Sequence, residues 1–245
     1  VEPPLSSSQN ALFLTLQSAR QGLNWRYRDF AIHDLGLFLQ NYRTTDTGGT
    51  ANVAGRTCRL LSVERADQSG SIYTLCVDEP TGLILDVREE TREGVLVARS
   101  TFESLNLAPD LSGVVWHQPG NNEQTLSIRG QLTPYVGFEA RAPRSLPAGY
   151  QLLDRSSVLH PQEGSLWVKE TFGDGVESLF FLHGGPIIAG NGIKSGVPEI
   201  QADLVEVASA APWTVAQGNL RSERVIALGK VAETDLLSML RSAME

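Results

Sequence analysis

The chain has 245 residues, a formal net charge of −8 at pH 7 and 41% hydrophobic residues. This length can hold one large domain or two small ones, each with a buried core. The excess of acidic residues argues against a nucleic-acid-binding protein, which needs a basic surface to replace the counterions of phosphate. No apolar run approaches the ~20 residues of a membrane-spanning helix, so we expect no transmembrane segment.

The N-terminal region is predicted to contain two short helices. Residues 9–23 carry apolar side chains at helical spacing and predict an amphipathic helix. Residues 25–32 alternate aromatic and charged side chains, which is compatible with one strand. Residues 35–42 predict a short apolar helix, and the stretch rich in Thr and Gly that follows is expected to be a loop as far as Ala51.

Residues 53–107 predict an antiparallel meander of four strands joined by short turns. Gly occurs at the turn positions, and Val, Ile, Leu and Tyr fill the runs between them, as hairpins require. The predicted strands are 57–65, 71–77, 83–90 and 95–105, and the turns are 67–70, 78–82 and 93–94. The alternation of residues 83–88 places one face of the sheet on a core and the other in water.

The two cysteines, Cys58 and Cys76, lie at nearly equal distances from the first turn of this meander. We therefore expect them to be neighbours on adjacent strands, where a disulfide is geometrically possible. An oxidised pair implies an oxidising compartment, and hence a protein outside the cytoplasm. The alternative is two buried free thiols. The first residues, VEPPLSSSQN, are typical of a mature terminus after removal of a signal peptide, or of a trimmed chain.

The second half of the chain predicts a smaller α+β domain. The Pro, Gly and Asn content of residues 108–135 predicts a linker, which separates a first domain of residues 1–107 from a second of residues 136–245. In the second domain we predict a hairpin of 165–172 and 176–182, a glycine-rich loop at 184–198, strands at 200–208 and 224–231, and a helix at 233–244. The apolar residues of that helix are Leu236, Leu237, Leu240 and Met244.

Several short motifs follow one another in the order and spacing of a known family. The first region contains Asn41-Tyr42 at the end of a short helix, VAGR from Val53, CVDEPTGL from Cys76 and FESL from Phe102. The second contains LPAGY from Leu146, a Gly-Asp-Gly turn at 173–175, and the strand and terminal helix VIALGKVAETDLLSML. In these motifs the chain resembles the RseB/MucB type of periplasmic sigma-factor regulator, whose first domain belongs to the LolA/LolB-like lipoprotein-carrier superfamily.

The resemblance implies an α+β fold. A curved antiparallel sheet, the LolA-like half-barrel, would be plugged by helices and followed by a small α+β C-terminal domain. Carriers of this shape hold acyl chains in an apolar cavity between sheet and helices. The ligand-facing residues would be Phe13, Leu16, Trp25, Tyr27, Phe30, Leu37 and Phe38. The alternative is that these side chains only pack a core.

The chain departs from the family pattern between the two predicted N-terminal helices. A half-barrel of this superfamily has several strands there, whereas residues 24–34 have room for one. The sequence QGLN followed directly by WRYRD resembles a junction between two stretches of chain that are not consecutive. It suggests that residues are missing between Asn24 and Trp25. If instead no residues are missing at this point, the first domain would be a minimal variant with a shallower cavity.

No constellation of residues predicts catalysis. His183-Gly184-Gly185 resembles the oxyanion-hole motif of α/β-hydrolases, but the chain lacks their G-x-S-x-G nucleophile motif and their βαβ alternation. We therefore interpret this motif as the end of a strand. The four histidines lie far apart and two cysteines cannot supply a thiolate zinc site, so we expect no metal and no other cofactor.

Together, these features predict a non-enzymatic extracytoplasmic binding protein. The resemblance implies a negative regulator, or sensor, that binds a membrane-anchored anti-sigma factor, shields it from proteolysis and releases it in response to a lipid-like signal. The alternative is a periplasmic carrier that transports a lipoprotein or lipid in the same cavity. A hydrolase built around His183 is a third hypothesis, which the missing nucleophile argues against.

Overall fold

The computed structural model describes residues 30–115, 138–159, 166–184, 205–210, 212–220 and 223–244. By their contacts the residues fall into two units, one of residues 38–124 and one that combines residues 1–37 with 125–245. The described part of each unit is built on one open antiparallel sheet. Neither described helix is long and apolar enough to cross a membrane.

The helices and strands follow one another along the chain with few long breaks between them. The first region contains α1 (Leu35–Asn41), β1 (Tyr42–Val53), β2 (Arg56–Arg65), β3 (Ile72–Val77), β4 (Ile84–Glu90) and β5 (Leu96–Thr101). The second contains β6 (Gln151–Leu159), β7 (Leu166–Gly173), β8 (Ser178–Gly184), β9 (Val205–Ala210), β10 (Trp213–Leu220), β11 (Glu223–Gly229) and α2 (Glu233–Met244).

The first sheet is a meander in which each strand pairs with its neighbour in the chain, from β1 to β5. The four predicted strands are confirmed as β2 to β5 with the three predicted turns between them, although β5 ends at Thr101 and not at residue 105 as predicted. The prediction of a loop before Ala51 is wrong, because residues 42–53 form strand β1. Threonines suit a pleated edge, and a shift in register between Asp46 and Thr50 accommodates Gly48, whose φ is +70°.

The second sheet has the strand order β6-β7-β8-β11-β10-β9, so its centre is formed by strands that are distant in sequence. Helix α2 packs on β9, β10 and β11. The core beneath it joins aromatic and aliphatic side chains of the sheet to Leu236, Met239, Leu240 and Ala243 of the helix. The predicted hairpin and terminal helix are confirmed, whereas strands β6 and β10 were not predicted.

Several predictions concern residues that the structure describes only in part. The predicted helix at 9–23, the junction at Asn24 and Trp25, and most of the glycine-rich loop lie outside the described residues. Residues 30–34 form no strand, since the backbone N–H of His33 instead donates to the carbonyl of Gly175 at 2.9 Å. Residues 102–115 contain no helix or strand. The domain ranges 1–107, 108–135 and 136–245 stay a prediction, as does the plugging of the sheet by helices.

Candidate binding site

Helix α1 begins at a side-chain cap. The carboxylate of Asp34 accepts a hydrogen bond from the backbone N–H of Leu37 at 2.8 Å, which satisfies one of the free N–H groups of the first turn. The helix buries Leu37 and Phe38, whereas Leu39 is 69% exposed. Two of the predicted ligand-facing residues therefore lie on the apolar side of this helix.

An aromatic and cationic stack lies where α1 meets the first sheet. The ring of Phe38 stacks on that of Tyr42, with centroids 5.6 Å apart and an angle of 13° between planes. The guanidinium carbon of Arg65, the residue opposite Tyr42 on β2, lies 5.9 Å from the Tyr42 centroid. Hydrogen bonds from Arg65, and then from Ser69, hold the pKa of Asp67 far below its ordinary value. The Arg65 guanidinium of the stack is thus also held by an ion pair with Asp67.

The sheet face that carries this stack is apolar further along the strands. Residues at every second position of a strand share one face, so Val63 lies on the same side as Arg65. Val63 pairs with Tyr73, and both of these side chains and Leu75 are at most 5% exposed. We call Val63, Tyr73 and Leu75 the apolar stripe. Its composition suits contact with an acyl chain or with apolar side chains.

The opposite face of the same sheet holds the disulfide. Cys58 and Cys76 are bonded, with their Cα atoms 5.3 Å apart, and both are 1% exposed. Cys76 pairs with Leu60, and Cys58 lies two residues before Leu60 and so on the same face. The two cysteines pack with Leu85 in a small apolar cluster. The predicted disulfide is confirmed, and the alternative of two free thiols is wrong.

A small open pocket of about 170 Å³ lies near the middle of β1 and β2. Its lining consists mostly of polar and charged residues: Asp46, Gly48, Gly49, Thr50, Thr57, Cys58, Arg59 and Glu79. The Arg59 guanidinium pairs with Asp46 and, at 3.3 Å, with Glu79. The hydrogen bond from Arg59, and then the one from the backbone N–H of Gly48, lower the pKa of Asp46.

Two of the motifs noted in the sequence contact each other. Asp78 of CVDEPTGL is buried and accepts two hydrogen bonds from the guanidinium of Arg56, the last residue of VAGR, at 3.0 and 2.8 Å. The hydroxyl of Thr81 donates to the same carboxylate. Arg56 first, and then Thr81, lower the pKa of Asp78, so the carboxylate is charged at neutral pH. The two motifs are therefore one structural element, which fixes the turn between β3 and β4.

His183 lies near the end of strand β8, as predicted for the His-Gly-Gly sequence. Its Nε2 lies 2.7 Å from Oε2 of Glu223, and its Nδ1 accepts a hydrogen bond from the backbone N–H of Arg141 at 3.0 Å. Both ring nitrogens are thus engaged in structural contacts. In the described part of the chain, no group of three His, Cys, Asp or Glu residues has the geometry of a metal site.

The structure places the predicted ligand-facing residues only in part. Phe13, Leu16, Trp25 and Tyr27 lie outside the described residues. Phe30 is half-buried, while Leu37 and Phe38 are buried. The cavity that the full set would line stays a prediction. The sequence analysis did not single out Tyr42, Val63 or Tyr73, although the period-two alternation of β2 and β3 carries the signal that places Val63 and Tyr73 on one face.

Residues 14–120 match the family model described as "MucB/RseB N-terminal domain". The resemblance to MucB/RseB proteins is confirmed. The MucB/RseB match includes α1, the whole first sheet and both contacting motifs. No curated protein matches the chain significantly.

Solved MucB structures share this fold. The chain aligns with the complex of Pseudomonas aeruginosa MucA and MucB with a TM-score of 0.59 and 21% identity, over 86% of this chain and 66% of that one. It aligns with MucB in complex with MucA(peri) with a TM-score of 0.60 and 20% identity, over 86% of this chain and 70% of that one. The chain thus spans about two thirds of the length of these MucB structures. At this level of identity, the likeness establishes a MucB-like fold of mostly antiparallel sheets with few helices.

Proposed function

We propose that the protein is a non-enzymatic binding protein of the MucB/RseB type. It acts in the periplasm and binds the extracytoplasmic segment of a membrane-anchored anti-sigma factor. The match of residues 14–120 to the MucB/RseB domain carries this proposal. The likeness in fold to MucB bound to MucA(peri) supports it. The Cys58–Cys76 disulfide also supports it, because such bonds persist in oxidising compartments.

The test is direct binding of the purified, oxidised protein to the periplasmic segment of the anti-sigma factor from the same source. Isothermal titration calorimetry should give a complex of defined stoichiometry. A peptide of the same composition in scrambled order is the matched control and should not bind. If the folded protein binds neither peptide, or both equally, the proposed partner is wrong.

We further propose that a lipid-like ligand contacts the side of the first unit formed by Phe38, Tyr42 and the apolar stripe. The side chains of these residues are aromatic or aliphatic and at most 8% exposed, so a ligand that contacts them displaces the part of the protein that covers them. An acyl chain gains about 0.8 kcal/mol for each methylene group removed from water. A Kd of 1 mM corresponds to about 4 kcal/mol, so measurable affinity requires contact with at least about five methylene groups.

Two neighbouring residues of α1 allow a matched test of this ligand site. Phe38→Ala removes a ring that stacks on Tyr42, whereas Leu39→Ala removes a side chain that is 69% exposed. Native mass spectrometry and fatty-acid titration should show weaker acyl binding for Phe38→Ala and unchanged binding for Leu39→Ala. Equal affinity for both variants would place the ligand elsewhere. Co-purified lipid without affinity for the anti-sigma segment would favour a lipid or lipoprotein carrier instead.

A further inference from the structure

A segment of the second unit crosses its sheet as a strap. Residues 138–150, which we call the strap, contain no helix or strand. Phe138 packs on Val168 of β7, in a small buried cluster of its own. Further along, the backbone N–H groups of Arg144 and Ser145 donate to the hydroxyl of Ser242 on α2, each at 3.0 Å. The hydroxyl of Ser242 thus holds the middle of the strap.

A second side-chain acceptor of the strap is an imidazole. Nδ1 of His183 accepts the backbone N–H of Arg141 at 3.0 Å, and the His183 ring lies 4.8 Å from that of Phe138. Because Nδ1 is the acceptor, the single proton of the neutral ring is on Nε2, which donates to Glu223 at 2.7 Å. The His183 side chain is only 1% exposed. The geometry therefore fixes one tautomer of the neutral ring.

We propose that His183 is a proton-sensitive latch, which releases the start of the strap, residues 138–141, when the imidazole takes up a second proton. That proton has to bind Nδ1, which changes this atom from an acceptor into a donor. Two donors would then face each other at 3.0 Å, so the hydrogen bond to Arg141 is lost and the strap moves away. The Ser242 hydroxyl does not titrate, so the second attachment remains.

Burial and the charged groups around His183 set the pKa of its ring in the closed state. Glu223 of β11 contacts the ring, Arg141 lies on the strap, and Glu170 of β7 lies on the same face of the sheet, where it pairs with Arg155 of β6. Burial is the largest influence and lowers the pKa of His183; Glu223 raises it, and Arg141 lowers it. The latch is therefore closed at neutral pH.

The released imidazole recovers a pKa near its ordinary value, about 6.5. Because the pKa of His183 in the closed state lies below this value, the closed state is fully favoured above about pH 6.5. It becomes less favoured as the pH falls further. The ratio of open to closed strap should rise up to tenfold for each pH unit between the two pKa values. This inference does not depend on the proposed function.

The test is amide hydrogen exchange, measured residue by residue with NMR from pH 7.5 to pH 5. After correction for intrinsic exchange rates, protection of the Arg141 amide should fall by up to tenfold per pH unit below about pH 6.5. The amides of Arg144 and Ser145 are internal controls and should keep their protection. Constant protection of Arg141, or a parallel loss at all three amides, would overturn the latch. Nitrogen shifts of the imidazole should show protonated Nε2 and bare Nδ1 at pH 7.5.

Two variants separate the latch from general acid unfolding. Glu223→Gln keeps an acceptor for Nε2 but removes the charge that raises the pKa of the ring in the closed state, so the loss of Arg141 protection should still begin near about pH 6.5 and be at least as large at pH 5. His183→Asn keeps an oxygen acceptor near the position of Nδ1 and cannot titrate, so its Arg141 protection should not depend on pH. A loss of Arg141 protection that is smaller in Glu223→Gln than in the wild type, or that begins only at clearly lower pH, contradicts the proposal even if His183→Asn fails to fold.

Discussion

The Cys58–Cys76 disulfide gives a quantitative prediction for the stability of the first unit. The bond joins residues 18 apart, and a cross-link of this length removes unfolded-state entropy that corresponds to about 3 kcal/mol. Reduction leaves every packing atom of the cluster around Leu85 in place. We therefore expect reduction alone to lower the free energy of unfolding by about 3 kcal/mol.

The measurement is urea unfolding with and without a dithiol reductant, read by hydrogen exchange at β2 and β3. The double variant Cys58→Ala/Cys76→Ala loses the cross-link and also two buried sulfur atoms, so it should be less stable than the reduced protein by a further 1–2 kcal/mol or so. The amides of β8 and β11, in the other unit, provide an internal reference. A loss of less than about 1 kcal/mol on reduction would refute the loop-entropy reasoning.

Three further predictions test the second unit. Leu236→Ala empties a fully buried site and should cost about 3 kcal/mol in urea unfolding, whereas half-buried Leu237→Ala should cost under about 1 kcal/mol. Burial raises the pKa of Glu170, so ionisation of this carboxyl destabilises the folded protein as the pH rises. The free energy of unfolding of Glu170→Gln should therefore equal that of the wild type near pH 4 and exceed it at pH 7. Equal pH profiles of stability would contradict this. A Cβ on Gly184 would lie 2.5 Å from the ring of Trp167, so Gly184→Ala should destabilise by about 2 kcal/mol, and an unchanged midpoint would contradict this packing.

The sequence predicts local hairpins well, because each hairpin carries its own turn chemistry. The turn of residues 78–82 places Gly at a φ of +71°, and the strands on either side of it were predicted within one residue of their starts. The helix at 233–244 was likewise predicted, because its cap and apolar spacing are local. The disulfide followed from the same logic, although the observed register places Leu60 opposite Cys76, and Cys58 lies two residues further along the same face, diagonal to Cys76.

Other parts depend on contacts that sequence patterns do not contain. Strand β1 is rich in Thr and contains two adjacent Gly residues, and pairing with β2 overrides the weak strand propensity of these glycines. Strand β10 contains Gln217, Gly218 and Asn219, and it is a strand because β9 and β11 flank it. The contact between Arg56 and Asp78 joins two motifs 22 residues apart, and no single-sequence period reports such a pair.

The two sheets differ in how far apart along the chain their paired strands lie. Every pairing in the first sheet joins consecutive strands, whereas the second sheet requires β8 to meet β11 across residues 185–222. Closing a long loop costs entropy before any contact compensates for it, so non-local pairing slows folding. We expect the first sheet to form early, and the β8–β11 pairing to be the kinetic bottleneck in the maturation of the second.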